Sequence, residues 1–239
     1  MNIKAISSIH KGFGSSGLPR SGKRIHLSEI LSLMEEDIFG SMLKGANKTL
    51  STYAVRQFRK DDPPYPGDRL TSLWEAGFVF ESMLEMAFAE RSAEFARVTG
   101  IPGLGLAVRP KEITRAGIIC SPDGFIPACG EQPTGALLEY KLRWKSALNF
   151  DPEREWKIKA QIQSYLMALR SLKTAGPDFA PLVCFLMVFF VNGDYRGNFP
   201  ILKSWKIEFT PGEIRENWNT ILEYAGDKNL LNPAKGKGK

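Results

Sequence analysis

Apolar residues recur at two different periods along this chain, and the changes of period mark its elements. From Ile30 through Met42, leucines and isoleucines fall at helical spacing behind Ser28, a candidate cap. Asp61-Asp62-Pro63-Pro64-Tyr65-Pro66-Gly67-Asp68 then forces a loop, because three prolines stop any regular element. A long helix is expected over about 70–98, with Leu73, Ala76, Gly77, Phe80, Leu84, Ala87 and Phe88 at helical spacing and Pro102-Gly103 behind it. Between 104 and 141 the texture changes to short β-like runs, 106–109, 115–120 and 136–142, which predicts a meander of hairpins. A second core helix is expected over 156–172, strands over 182–191 and 204–209, and a helix over 211–224 with Pro211 near its start. This order predicts one mixed α/β (α+β) domain over 27–230, a central mixed β-sheet flanked by helices. The flanks read as a flexible basic arm, 1–26, and a disordered basic tail, 231–239.

Composition narrows the function classes. At 239 residues and 43% hydrophobic content the chain can bury a core, and its net charge of +6 suits a polyanionic partner. Met1 to Lys11 shows no signal-peptide pattern, and the longest apolar stretch, Phe179 to Val191, is too short to span a bilayer. No membrane association is expected. Cys120, Cys129 and Cys184 lack metal-site spacing and read as free thiols in a reducing cytoplasm. Only His10 and His26 occur, which weighs against a zinc hydrolase or histidine acid/base chemistry.

The charged residues inside apolar frames are more telling. Ser121-Pro122-Asp123-Gly124-Phe125 is followed by Leu137-Leu138-Glu139-Tyr140-Lys141. A strand over 136–142 with apolar residues on both faces would bury Glu139 and Lys141, which is costly unless something uses them. Two apart on a strand, they point to one face. Asp123 and Glu139 can supply two carboxylates from adjacent strands, and the Tyr140 carbonyl a third oxygen, a hard donor set that suits Mg²⁺. Gly124 is expected to let the backbone turn after Asp123. Glu81 follows Gly77 by one turn, and a small residue there is expected to bring the helix onto the sheet and aim Glu81 at the centre. Glu75, Glu85 and Glu90 share the helix, where a solvated face explains any single one, and Glu85 is the alternative ligand. Gln161, with Tyr165 one turn on, can hold a phosphate or water; Ala160 is expected to keep that helix close to the sheet, and Gln163 is the rival amide. Asp123-Gly124 as a plain hairpin turn and Glu139–Lys141 as a solvent-facing pair are the bland readings.

Together these motifs resemble the PD-(D/E)XK nuclease superfamily, with Pro122-Asp123 and Glu139-Tyr140-Lys141 as its signature. Trp74…Gly77-Phe78-Val79-Phe80-Glu81, Ser121-Pro122-Asp123-Gly124, Leu138-Glu139-Tyr140-Lys141 and Ala160-Gln161-Ile162-Gln163 resemble its lambda exonuclease/YqaJ viral recombinase branch, over about 70–170. The resemblance implies a restriction-endonuclease-like core and a Mg²⁺-dependent DNA exonuclease of phage-type recombination, with Mn²⁺ as a substitute. It implies duplex DNA ends as substrate, 5′→3′ polarity, a ring-shaped homotrimer and a single-strand annealing protein as partner. Asp123 and Glu139 would be metal ligands and Glu81 a ligand to a metal or its water. Lys141 would activate water and Gln161 position it. Arg20, Lys23, Arg24 and Ser28 loosely match the family's 5′-phosphate pocket; Arg143 and Tyr165 are further DNA-binding candidates, and Lys145, Lys157 and Lys159 could track the backbone. Where the family often has Lys-Cys-Pro, this chain has Lys141-Leu142-Arg143. The alternatives are a structure-specific or restriction-like endonuclease on the same centre, an inactive DNA-binding module and, third, an RNA-directed nuclease.

Overall fold

The computed structural model describes residues 25–39, 68–130, 132–144, 146–172, 179–194 and 200–231. Arg20, Lys23, Arg24, Lys145, the Pro63-Pro64-Tyr65-Pro66 segment, most of the C-terminal tail and the side chain of Trp74 lie outside the described residues. The described residues form seven strands and four α-helices in mixed α/β order.

Two mixed sheets make the framework. In the smaller one, β3 (Ile118–Cys120) lies between β1 (Ile25–His26), parallel to it, and β2 (Ile113–Arg115), antiparallel. In the larger one the order is β4 (Gly124–Ile126), β5 (Ala136–Arg143), β6 (Val183–Phe190) and β7 (Ile201–Glu208). Strands β5 and β6 are parallel, joined by helix α3 (Trp156–Leu169), while β4 and β7 run antiparallel to their neighbours. A parallel pair needs such a crossover, and it covers a face of the sheet. Hence β6 reads as an unbroken apolar run, whereas the edge strand β7 alternates from Ser204 to Glu208.

The period of two along β5 divides the core. Ala136, Leu138 and Tyr140 pack with Phe80, Leu84 and Phe88 of the long helix α2 (Asp68–Thr99). Leu137 packs with Cys184, Leu186 and Val188, with Ile162 and Leu166 of α3, and with α1 (Leu27–Phe39) and α4 (Pro211–Asp227). Glu139 and Lys141 share the parity of Leu137, so they face the α3 side.

Several local expectations give way. Ser28 does not cap α1: it sits inside the helix, and His26 is the cap, its N–H donating to Glu29 Oε2 at 2.9 Å. The run 115–120 is two strands, turned at Ala116 (φ 49°) and Gly117 (φ 85°), a left-handed pair that suits a tight hairpin. In place of a strand over 106–109 there is a 3₁₀ turn, Leu104–Leu106, and a single bridge from Val108 to Phe125. Helix α2 is interrupted at Arg91, where φ is −133° and ψ 35°. Ala160 sits at the crossing with α4, where Asn217 Nδ2 donates to its carbonyl at 3.1 Å and to Ser164 Oγ at 3.0 Å. Thr210 and Glu213 form a capping box at Pro211, as proline at the first helical position suggests. No described helix is long and apolar enough to cross a membrane.

Candidate active site

Asp123 lies one residue ahead of β4. The register Gly124↔Leu138 continues to set it beside Glu139 on β5. Its carboxylate is held from β5 itself: the Tyr140 N–H donates to Asp123 Oδ2 at 2.7 Å. A residue's N–H and C=O point to the same side of an extended strand, so the Tyr140 carbonyl faces the Asp123 side too. Gly124 has no left-handed φ. A side chain there would meet Tyr140 Oη at 3.3 Å and Leu138 Cβ at 3.4 Å, so glycine is needed for space rather than for the turn the sequence suggested.

Glu139 is fully buried. The Lys141 ammonium contacts its Oε1, while its Oε2, equally buried, has no hydrogen-bond partner. Burial, then Asp123, pushes the Glu139 carboxyl up to about 8. Burial raises Asp123 as well, against the pull of Lys141 and the Tyr140 amide. Burial alone would lower Lys141, but Glu139 and Asp123 carry it above its usual range, so it stays a cation.

Glu81 reaches the same centre from α2. Burial and then Asp123 push its carboxyl up to about 7, opposed by Lys141 and Arg109. Gly77 does not aim it: a side chain at Gly77 would touch none of the described residues within 4 Å. Packing of Phe80, Leu84 and Phe88 sets the helix face, and Arg109 holds the carboxylate, its Nη2 donating to Glu81 Oε2 at 3.3 Å and its Nη1 to Glu85. Arg109 was not foreseen, because only the fold reveals which side chains its short segment meets.

From α3, Gln161 Nε2 donates to Tyr165 Oη at 3.1 Å. Burial, then Glu139 and Asp123, lifts the Tyr165 phenol well above its ordinary value, which puts it in electrostatic reach of both carboxylates. Gln163, the rival amide, is half-buried on the same helix. Arg143 is engaged elsewhere: its fork meets Glu155 at 2.6 and 3.2 Å and its guanidinium lies 4.7 Å over the Phe150 ring. Lys157 ties α3 to α1 through Ser32 at 3.0 Å and Glu35 at 2.8 Å, and Ser28 is exposed. Cys120 and Cys184 are buried free thiols, and burial pushes Cys120 up to about 12.

The donor set fits a hard divalent cation. Two buried carboxylates both titrate high, and one carboxylate oxygen is enclosed without a partner; a cation would relieve both. Among the described residues no three His, Cys, Asp or Glu gather into a ligand cluster. A cation held by Asp123 and Glu139 would therefore take its other positions from water or phosphate oxygens.

No protein-family model matches this chain, and no curated protein matches its sequence. Solved structures similar to it include the crystal structure of SSO0001, at 13% identity and a TM-score of 0.42, covering 91% of this chain and 80% of that one. An alkaline exonuclease, LHK-Exo, from Laribacter hongkongensis is 14% identical with a TM-score of 0.39, covering 87% and 88%. LHK-Exo in complex with dAMP gives 14% and 0.44 over the same shares. These likenesses concern the path of the chain; the chemistry of the site rests on its own side chains.

Proposed function

We propose that this chain is a Mg²⁺-dependent deoxyribonuclease that hydrolyses phosphodiester bonds from the ends of linear duplex DNA, with Mn²⁺ able to replace Mg²⁺. The observation that carries the reading is Glu139: a fully buried carboxylate with an unpartnered oxygen, set beside Asp123 and Lys141. A stable fold would place an aliphatic residue there unless the charge were used.

Asp123, Glu139 and the Tyr140 carbonyl would hold the cation, with Glu81, which does not gather with that pair into a ligand cluster, orienting a water or joining as a further ligand once the ion draws it in. The bound ion would polarise the scissile phosphate and stabilise charge on the leaving oxygen. In the reaction a water oxygen attacks phosphorus, the P–O3′ bond breaks, and the water's proton ends on the leaving 3′ oxygen or in solvent. Lys141, kept charged by its carboxylate neighbours, orients the water and stabilises negative charge growing on the phosphate rather than acting as a base. Gln161 holds the water or a phosphate oxygen without adding charge. Arg143 contributes to DNA binding only if it leaves Glu155.

The test is digestion of linear duplex DNA against covalently closed circles, with Mg²⁺ or with EDTA, by the wild type and Glu139→Ala. Mg²⁺-dependent loss of linear DNA alone, abolished by the substitution, is expected. Cleavage of circles would make the enzyme an endonuclease; DNA binding without cleavage would make it a binding module.

A further inference from the structure

Arg109 lies in no helix or strand, yet it connects two parts of the site. Its neighbour Val108 exchanges two backbone hydrogen bonds with Phe125, at 2.8 and 2.9 Å, and Phe125 is two residues from Asp123. A short, doubly bonded stretch of backbone therefore runs from Asp123 to Arg109. From there the guanidinium reaches α2, Nη2 to Glu81 at 3.3 Å and Nη1 to Glu85. Those two carboxylates stand one helical turn apart, and a planar fork can span both where a lysine reaches one at a time. The Arg109 side chain is 29% exposed, so solvent screens the pair only in part.

We propose that Arg109 is a positioning residue: anchored by Glu85, it fixes the Glu81 carboxylate toward the Asp123–Glu139 pair. The assignment rests on the metal-nuclease reading above. It links a helix carboxylate to the Asp123 segment, with which that carboxylate shares no hydrogen bond among those described.

The test uses the full chain and two readouts, steady-state cleavage of linear duplex DNA and calorimetric binding of Mn²⁺ alone. Arg109→Gln should lower kcat and weaken Mn²⁺ binding by about 10- to 100-fold, the range for removing a residue that orients a ligand, with KM for DNA nearly unchanged. Arg109→Lys should recover part of both. If Arg109→Gln does not fold, Glu85→Gln removes the second anchor and should shift both readouts in the same direction by less. Folded variants that match the wild type in kcat and in Mn²⁺ affinity would overturn the proposal and leave Arg109 a tie between helix and loop. Glu139→Ala, run in parallel, separates the two ideas. If the wild type cleaves, Glu139→Ala does not and Arg109→Gln does so normally, only the Arg109 assignment fails. If the wild type neither cleaves nor binds Mn²⁺, the reading of the site fails and this one with it.

Discussion

The backbone amide of Tyr140 donates to the carboxylate of Asp123 at 2.7 Å, so the strand that carries Glu139 also holds the second carboxylate. The pairing of β4 with β5 ends at Gly124, and the next amide along β5 is taken by a side chain instead of a backbone carbonyl. Two acids are thereby fixed close together in a buried place. That arrangement is unfavourable for folding alone and useful if a cation binds between them.

Asp123→Asn should show this conflict directly. The amide oxygen can still accept from Tyr140, but one repelling charge near Glu81 and Glu139 is gone. Mg²⁺-dependent cleavage should fall by at least ~10²-fold, while the Tm in EDTA rises, by about 2–4 °C for each kcal/mol gained. A lower Tm in EDTA would mean that the charge is structural.

Lys141→Ala should reduce turnover at saturating Mg²⁺ by at least ~10²-fold, the scale for losing one preorganised charge stabiliser. Duplex binding, measured by anisotropy in EDTA, should persist. Unchanged turnover would remove Lys141 from the mechanism.

The raised carboxyls make a pH prediction with a definite sign. Glu81 and Glu139 move from the ordinary glutamate value of 4.5 to about 7 and about 8, chiefly through burial. Between pH 4.5 and those values the folded protein binds more protons than the unfolded chain, so metal-free stability falls as pH rises. The loss is complete above about pH 8. Mg²⁺ displaces the same protons, so its stabilising effect should be larger at pH 8 than at pH 6. Thermal unfolding in EDTA and in Mg²⁺ across this window checks both; a metal-free Tm that climbs from pH 5 to 8 would contradict the account.

Two glycines should respond in opposite ways. Gly77→Ala meets none of the described residues and should stabilise α2 by about 0.5–1 kcal/mol through helix propensity. Gly124→Val presses on Tyr140 and Leu138 and should cost about 1–3 kcal/mol as overpacking. Chemical denaturation of both variants measures the contrast.

Much of this was legible in the residues. The apolar frame around Glu139 and Lys141 identified a strand buried on both faces, and a period of two put both charges on one side. Pro211 announced the last helix, and the Thr210 capping box was visible only in the structure. What stayed hidden depends on contacts between distant segments. Arg109 meets carboxylates 24 and 28 residues earlier, and Arg143, read as a DNA contact, meets Glu155 12 residues later. The roles of Gly77 and Gly124 depend on what lies above each Cα, and the hairpin at Ala116-Gly117 carries no Asn or Asp to mark it. Residue type gave a reason for each glycine, but only the packing shows which reason applies.

The most direct measurement is an anomalous difference map from crystals of the wild-type protein soaked in Mn²⁺. The account predicts a peak within bonding distance of Glu139 Oε2 and an Asp123 carboxylate oxygen. An empty map there, with Mn²⁺ bound elsewhere or not at all, would contradict it.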